Sequence, residues 1–113
     1  MHEVGIMQNA ILMAEQQARD SGASRVHTLR LRVGDMSGVV PDALEFAFET
    51  VAKGTLVEGA CLVIERVAPA CWCAACGEEF VCEDLNYDCP RCGAFSTELR
   101  RGTEMQLSSI EVS

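Results

Sequence analysis

Residues 71–93 read CWCAACGEEFVCEDLNYDCPRCG and hold two Cys-x2-Cys pairs, Cys73/Cys76 and Cys89/Cys92, separated by twelve residues. Two residues between thiols let one tight turn present both sulfurs to a single tetrahedral ion, the usual spacing of structural zinc sites. Gly77 and Gly93 follow the second cysteine of each pair. A residue free to take positive φ there lets backbone N–H groups turn toward the sulfurs. Pro90 stiffens the second turn. The pattern predicts one Zn²⁺ bound by Cys73, Cys76, Cys89 and Cys92. Four thiolates fill a tetrahedral shell and leave no position for water, so the expected role is structural and not hydrolytic.

The segment around these cysteines differs in kind from the rest of the chain. Residues 69–95 are rich in Cys, Gly and acids and carry no long periodic run. The twelve residues between the pairs predict a short hairpin, hence a rubredoxin-like zinc-ribbon module. Iron held by the same four thiolates is the main competing ion. Such a module is too short to build its own core, and metal binding, at about 10–16 kcal/mol in comparable peptides, supplies its folding free energy. Glu78, Glu79, Glu83, Asp84 and Asp88 lie between the knuckles with no Lys or Arg among them. A ribbon that grips nucleic acid needs the opposite sign.

The whole chain supports that exclusion. It has 113 residues and a formal net charge of −8, without the basic surface that phosphate binding requires. No apolar run approaches the roughly 20 residues of a bilayer span. The start lacks a basic region, and Glu3 and Glu15 interrupt any apolar leader. We therefore expect a cytoplasmic protein with no membrane partner. Seven cysteines in a reducing compartment point to metal or redox chemistry, and their odd number argues against complete pairing. Of the three outside the tetrad, Cys61 is expected to be a small core residue. Cys71 and Cys82 flank the site, as spectators or as thiols able to swap in or oxidise.

Outward from the module the pattern becomes regular. Val4, Met7, Ile11, Ala14 and Ala18 recur at helical spacing while Glu15, Gln16 and Arg19 fall elsewhere, predicting a helix from Val4 to Ser21 ended by Gly22. Met7 and Met13 are read as core, not as soft metal ligands. Leu29, Leu31 and Val33 alternate with Thr28, Arg30 and Arg32, so residues 26–33 form a strand with one buried face. Residues 34–38 are a loop. Pro41 starts a second helix whose apolar stripe is Leu44, Ala47, Phe48 and Val51, stopped by Gly54. Residues 61–67 are a second strand. Met105, Leu107, Ile110 and Val112 make a last one, its alternation slipping at Ser108-Ser109 as in a β-bulge. The expected architecture is α+β, with two helices on a small mixed sheet. Residues 1–68 form its body, completed by the C-terminal strand 103–113, and residues 69–102 form the zinc-binding insert.

The N-terminus offers a second metal site. The α-amine of Met1, the backbone nitrogens of His2 and Glu3 and the His2 imidazole are close enough along the chain to chelate one ion. A planar nitrogen set with deprotonated amides suits Ni²⁺ or Cu²⁺ better than Zn²⁺. The imidazole must be neutral to bind, so affinity falls below about pH 6.5. Met1-His2-Glu3, the Gly34-Asp35-x-Ser37-Gly38 loop, the Ala47-Phe48-Glu49 helix, the paired Cys-x2-Cys insert and the terminal strand at 109–112 together resemble HypA/HybF, the nickel maturation factors of NiFe hydrogenase. The resemblance runs over essentially all 113 residues. It implies a nickel-binding body with His2 as the indispensable ligand and Glu3 contributing at least its backbone nitrogen. It also implies delivery of Ni²⁺ to the hydrogenase large-subunit precursor together with the GTPase HypB, and some relatives serve urease as well. Relatives with histidines beside their zinc cysteines link them to pH-responsive coordination; this module holds none.

Three function classes compete. A metallochaperone binds about one Ni²⁺ in addition to zinc, whereas a zinc-ribbon adaptor acting only through protein or nucleic-acid contacts does not. An enzyme is disfavoured, because the zinc shell is closed and no nucleophile–base constellation can be assembled. Asp35 and Asp42 are read as loop and helix-start residues. Whether the chain is a monomer or a homodimer is open at this stage.

Overall fold

The computed structural model describes residues 2–82 and 86–113; of His2 only the backbone is described. Helix α1 spans His2–Asp20 and is followed by strand β1, Val26–Gly34. Helix α2 covers Pro41–Val51 and leads through a loop to strand β2, Cys61–Val67. Three four-residue strands follow: β3, Ala70–Cys73; β4, Glu78–Val81; and β5, Glu98–Arg101. Strand β6, Met105–Val112, ends the fold. Two helices on a small mixed sheet, with a four-cysteine module between β2 and β6, is the α+β architecture expected from the pattern.

β1 is the centre of the first sheet, in the order β2-β1-β6, paired parallel to β2 and antiparallel to β6. The parallel pair needs a crossover, and α2 supplies it. Leu29, Leu31 and Val33 point under the helices and are essentially inaccessible. Each such side chain is worth about 1.5–3 kcal/mol of burial. They meet Met7, Ile11, Ala14 and Ala18 of α1 and Leu44, Ala47 and Phe48 of α2. The expected bulge is present in β6: Arg30 pairs with Ser109 and Leu31 with Leu107, leaving Ser108 over. α2 starts on Pro41 with no side-chain cap, and Asp42 lies in its first turn, where a negative charge favours the helix dipole. Asp35 takes the loop role expected of it, accepting hydrogen bonds from Nε (3.1 Å) and Nη2 (3.0 Å) of Arg66.

Three single-residue expectations fail, each for a geometric reason. Met13 is half exposed, not core; six residues at 100° each carry it away from the face that Met7 occupies. Cys61 is exposed, not core, because Leu62 and Ile64 turn toward the helices and alternation sends Cys61 to the open face. Glu15 belongs on the inner side, four residues after Ile11. It is buried and accepts the Leu56 N–H at 3.1 Å, tying the 52–60 loop to α1, with Arg19 at 3.7 Å.

The second sheet has the order β4-β3-β5, all antiparallel, around a separate small core of Cys71, Cys73, Phe80, Cys82 and Cys89. The molecule measures 53 × 28 × 17 Å, long because each sheet packs its own core. The two join where the chain enters β3 and leaves β5. Gly34 N–H donates to Glu104 O (2.8 Å), Asp35 N–H to Val67 O (2.9 Å) and Met36 N–H to Gly102 O (2.7 Å). Only glycines fit here: a Cβ on Gly34 would lie 2.1 Å from Gly102 O, and one on Gly102 would lie 2.7 Å from Pro69 Cα. Glu104 closes the junction by accepting the Gly102 N–H at 2.8 Å, which holds its carboxyl below the ordinary range.

Candidate metal centre

The tetrad is built from two hairpins rather than from one spanning the gap. Cys73 ends β3 and Cys76 precedes β4, so the first knuckle is the turn between these strands. The second knuckle sits in a hairpin closed by the Asp88–Phe95 bridge, with Cys89 N–H donating to Ala94 O at 2.8 Å. β4 occupies part of the twelve-residue interval, where alternation over four residues was too short to read. Glu83 and Asp84 lie outside the described residues.

The four thiols converge: one sulfur from each of Cys73, Cys76, Cys89 and Cys92 lies within 4.8 Å of every other. Cys73 and Cys92 are 3.5 Å apart. A tetrahedral ion with sulfur at about 2.3 Å has S···S edges of roughly 3.8 Å, so the cluster fits a closed four-thiolate shell. Gly77 and Gly93 take positive φ, 68° and 75°. Their own N–H groups close the turns onto Cys73 O and Cys89 O, both at 2.8 Å. Other backbone N–H groups of the turns reach sulfur as expected: the Cys76 N–H meets Cys73 at 3.4 Å, and those of Arg91 and Cys92 meet Cys89.

The thiols are electrostatically unequal. Hydrogen bonds with the Cys92 and Cys73 thiols, then burial, push Cys76 up to about 12. Burial also acts to raise Cys89, but the N–H groups of Cys92 and Arg91 and the neighbouring thiols draw it down to about 6. Within the cluster the negative charge is thus favoured on Cys89 and disfavoured on Cys76. Cys71, raised to about 11 by burial and its contact with Cys82, takes no part in the tetrad.

Two features escaped the sequence reading. Ser96, almost fully buried, donates to Trp72 O at 2.7 Å and accepts the Glu98 N–H at 3.2 Å, while its own N–H bonds Tyr87 O at 2.8 Å. It fastens the second hairpin to β3, and a lone serine in an irregular stretch gives no periodic signal. Arginines from outside the acidic interval also answer it: Arg91 pairs with Glu78 (3.3 Å) and Arg101 with Glu79, while Arg100 pairs with Glu98 and lies 4.4 Å over the Trp72 ring. Among the described residues, Glu78 and Glu79 of the interval are thus each paired with an arginine from outside it.

At the other end, Glu3 lies in the first turn of α1 and is half-buried. It borders a groove of about 330 Å³ between the helices, lined by Val4, Ala43, Phe46, Ala47, Thr50 and Val51. Met1 and the side chain of His2 lie outside the described residues.

A two-helix α+β body coupled to a four-cysteine metal module defines a small metal-handling protein, and among the described residues no helix is long and apolar enough to cross a membrane. Residues 1–112 match the family described as "Hydrogenase/urease nickel incorporation, metallochaperone, hypA". The chain is 46% identical over 112 residues to the hydrogenase maturation factor HypA of Picosynechococcus sp. and 44% identical to that of Geobacter metallireducens, covering 99% of each chain in both cases. Its fold matches the solution structure of the Ni metallochaperone HypA from Helicobacter pylori with a TM-score of 0.70 and 27% identity, over 99% of this chain and 97% of that one. The chain belongs to the HypA family, a family of metallochaperones and maturation factors, not of enzymes.

Proposed function

We propose that this protein binds Ni²⁺ through Met1, His2 and Glu3 and delivers it to the NiFe-hydrogenase large-subunit precursor in the cytoplasm, working with a HypB-type GTPase. The reading rests on His2 and Glu3 opening α1, directly after Met1 in the sequence, in a chain whose residues 1–112 match a nickel-incorporation family. The first N–H groups of a helix have no intrahelical acceptor. The backbone nitrogens of His2 and Glu3 can therefore turn to an ion without breaking a helical hydrogen bond. Ligands at the start of a helix also leave one at a time, which suits transfer better than a buried cage. Zn²⁺ at Cys73, Cys76, Cys89 and Cys92 is structural in this account, and residues 69–102 unfold as a unit apart from 1–68 and 103–113. Zinc supplies the cross-link; the chain supplies the preformed turns, the Cys76 N–H and the Ser96 tie.

The test is complementation of a bacterium lacking its own HypA-family factor, grown at limiting nickel, with hydrogenase activity as readout. The native chain restores activity and His2→Ala does not, while excess nickel in the medium narrows the difference. Equal rescue by both would overturn the nickel-donor reading and leave a zinc-ribbon adaptor in its place.

A further inference from the structure

We propose that Cys71 and Cys82 form a reversible dithiol–disulfide site, distinct from the four metal-binding thiols, that exchanges with small-molecule disulfides. The two residues share one face of the second sheet. Cys71 pairs with Phe80, and Cys82, one residue beyond β4, donates its N–H to Pro69 O at 3.2 Å. Residues 69 and 71 point the same way, so Cys82 sits diagonally across from Cys71. Their sulfurs are 2.8 Å apart, against about 2.0 Å in a disulfide. Both are buried beside Phe80.

The pair is not a fragment of another cation site. Among the described residues the only group of three or more metal-ligating side chains is the tetrad itself. Oxidation of any tetrad thiol costs the bound ion, whereas Cys71 and Cys82 have no such protection. Cys61, the remaining thiol, stands alone and exposed at the start of β2. The electron balance is simple: one cysteine, as its thiolate, attacks the external disulfide and expels a thiolate, which takes up the proton that the cysteine gave up, leaving a mixed disulfide. The second cysteine displaces the other thiol, so the protein loses two hydrogens and the reagent gains them. Closing the bond brings the sulfurs only about 0.8 Å nearer than their separation of 2.8 Å. The ring it closes contains the first knuckle, Cys73 to Cys76, so oxidation fastens the hairpin that carries half of the tetrad.

The experiment uses the zinc-loaded Cys61→Ser protein, which keeps six of the seven cysteines. Zinc stoichiometry is measured first, so a failure of the zinc assignment shows before any oxidation. The protein is equilibrated in glutathione and glutathione-disulfide mixtures, acid-quenched, alkylated in denaturant and mapped by mass spectrometry. The expected result is one two-electron step: alkylatable thiols fall from six to four, the mass drops by about 2 Da, the cross-linked peptides join Cys71 to Cys82, and zinc stays bound. Dithiothreitol reverses it. Cys82→Ser in the same background holds zinc and shows no such step; if that variant does not fold, the peptide map of the parent decides alone. Six free thiols in the most oxidising mixture, or a first cross-link within the tetrad with zinc released, would overturn the proposal.

Discussion

Gly34→Ala probes the junction on which both sheets hang. Gly34 is not among the positive-φ glycines, so alanine can adopt its backbone conformation and the whole cost is steric. The new Cβ would stand 2.1 Å from Gly102 O, 2.2 Å from Gly102 C and 2.6 Å from Thr103 N. A carbon in ordinary contact keeps about 3.5 Å, so the β1 end and the 102–104 segment must part by more than about 1 Å. Two hydrogen bonds cross that gap, Gly34 N–H to Glu104 O and Met36 N–H to Gly102 O, each worth about 1 kcal/mol. Overpacking strain adds about 1–3 kcal/mol, for a total of roughly 3–5 kcal/mol. That is a large share of the about 5–15 kcal/mol by which domains are stable. For a chain of this size the expected fall in Tm is roughly 10–20 °C, read by calorimetry or circular dichroism on the zinc-loaded protein. A Tm within about 2 °C of the native value would refute the close approach at this junction.

Ser96→Ala leaves Trp72 O and the Glu98 N–H without their partner; it is expected to destabilise the zinc-loaded module by about 1–3 kcal/mol, and unchanged resistance of zinc to a chelator in denaturant would contradict this. Cys76→Ser breaks the tetrad and is expected to lower zinc affinity by more than about a hundredfold, since losing even an outer hydrogen-bond partner of a ligand costs ~10–100-fold. Retention of stoichiometric zinc against a competing chelator would rule out the four-thiolate site. A Zn²⁺ entering the tetrad is expected to displace a proton from Cys76 at neutral pH but not from Cys89, whose thiol lies near 6. Zinc affinity therefore falls as pH drops, and the slope steepens by one proton below about 6; a slope that stays constant through that range is the contrary result.

Much of this architecture was legible because its signals are periodic or chemically singular. Leu29, Leu31 and Val33 declared β1, the Met7–Ile11–Ala14–Ala18 spacing declared α1, and the slip at Ser108 declared the bulge. The cysteine spacing picked out four thiols that the fold does bring together. What was not legible depends on contacts distant in sequence. Glu15 looks like a surface acid until the 52–60 loop offers it the Leu56 N–H. Cys61 looks buried by residue type, but its parity in β2 puts it on the open face. The strands β3, β4 and β5 have four residues each, too few for alternation to show. The tightness at Gly34 and Gly102 exists only because two chain crossings meet there. Ser96 and the arginine partners of Glu78 and Glu79 are likewise created by the folding of the module.

The central claim is that the functional ion sits at the start of the chain, apart from the zinc. It is tested most directly by calorimetric nickel titration of three zinc-loaded proteins: the native-start chain, His2→Ala, and a chain extended by residues before Met1. The account predicts about one Ni²⁺ per native chain in addition to zinc, weakening below about pH 6.5 as imidazole protonates, with both altered proteins losing that binding while their zinc is unchanged. Equal nickel binding by all three proteins would contradict it.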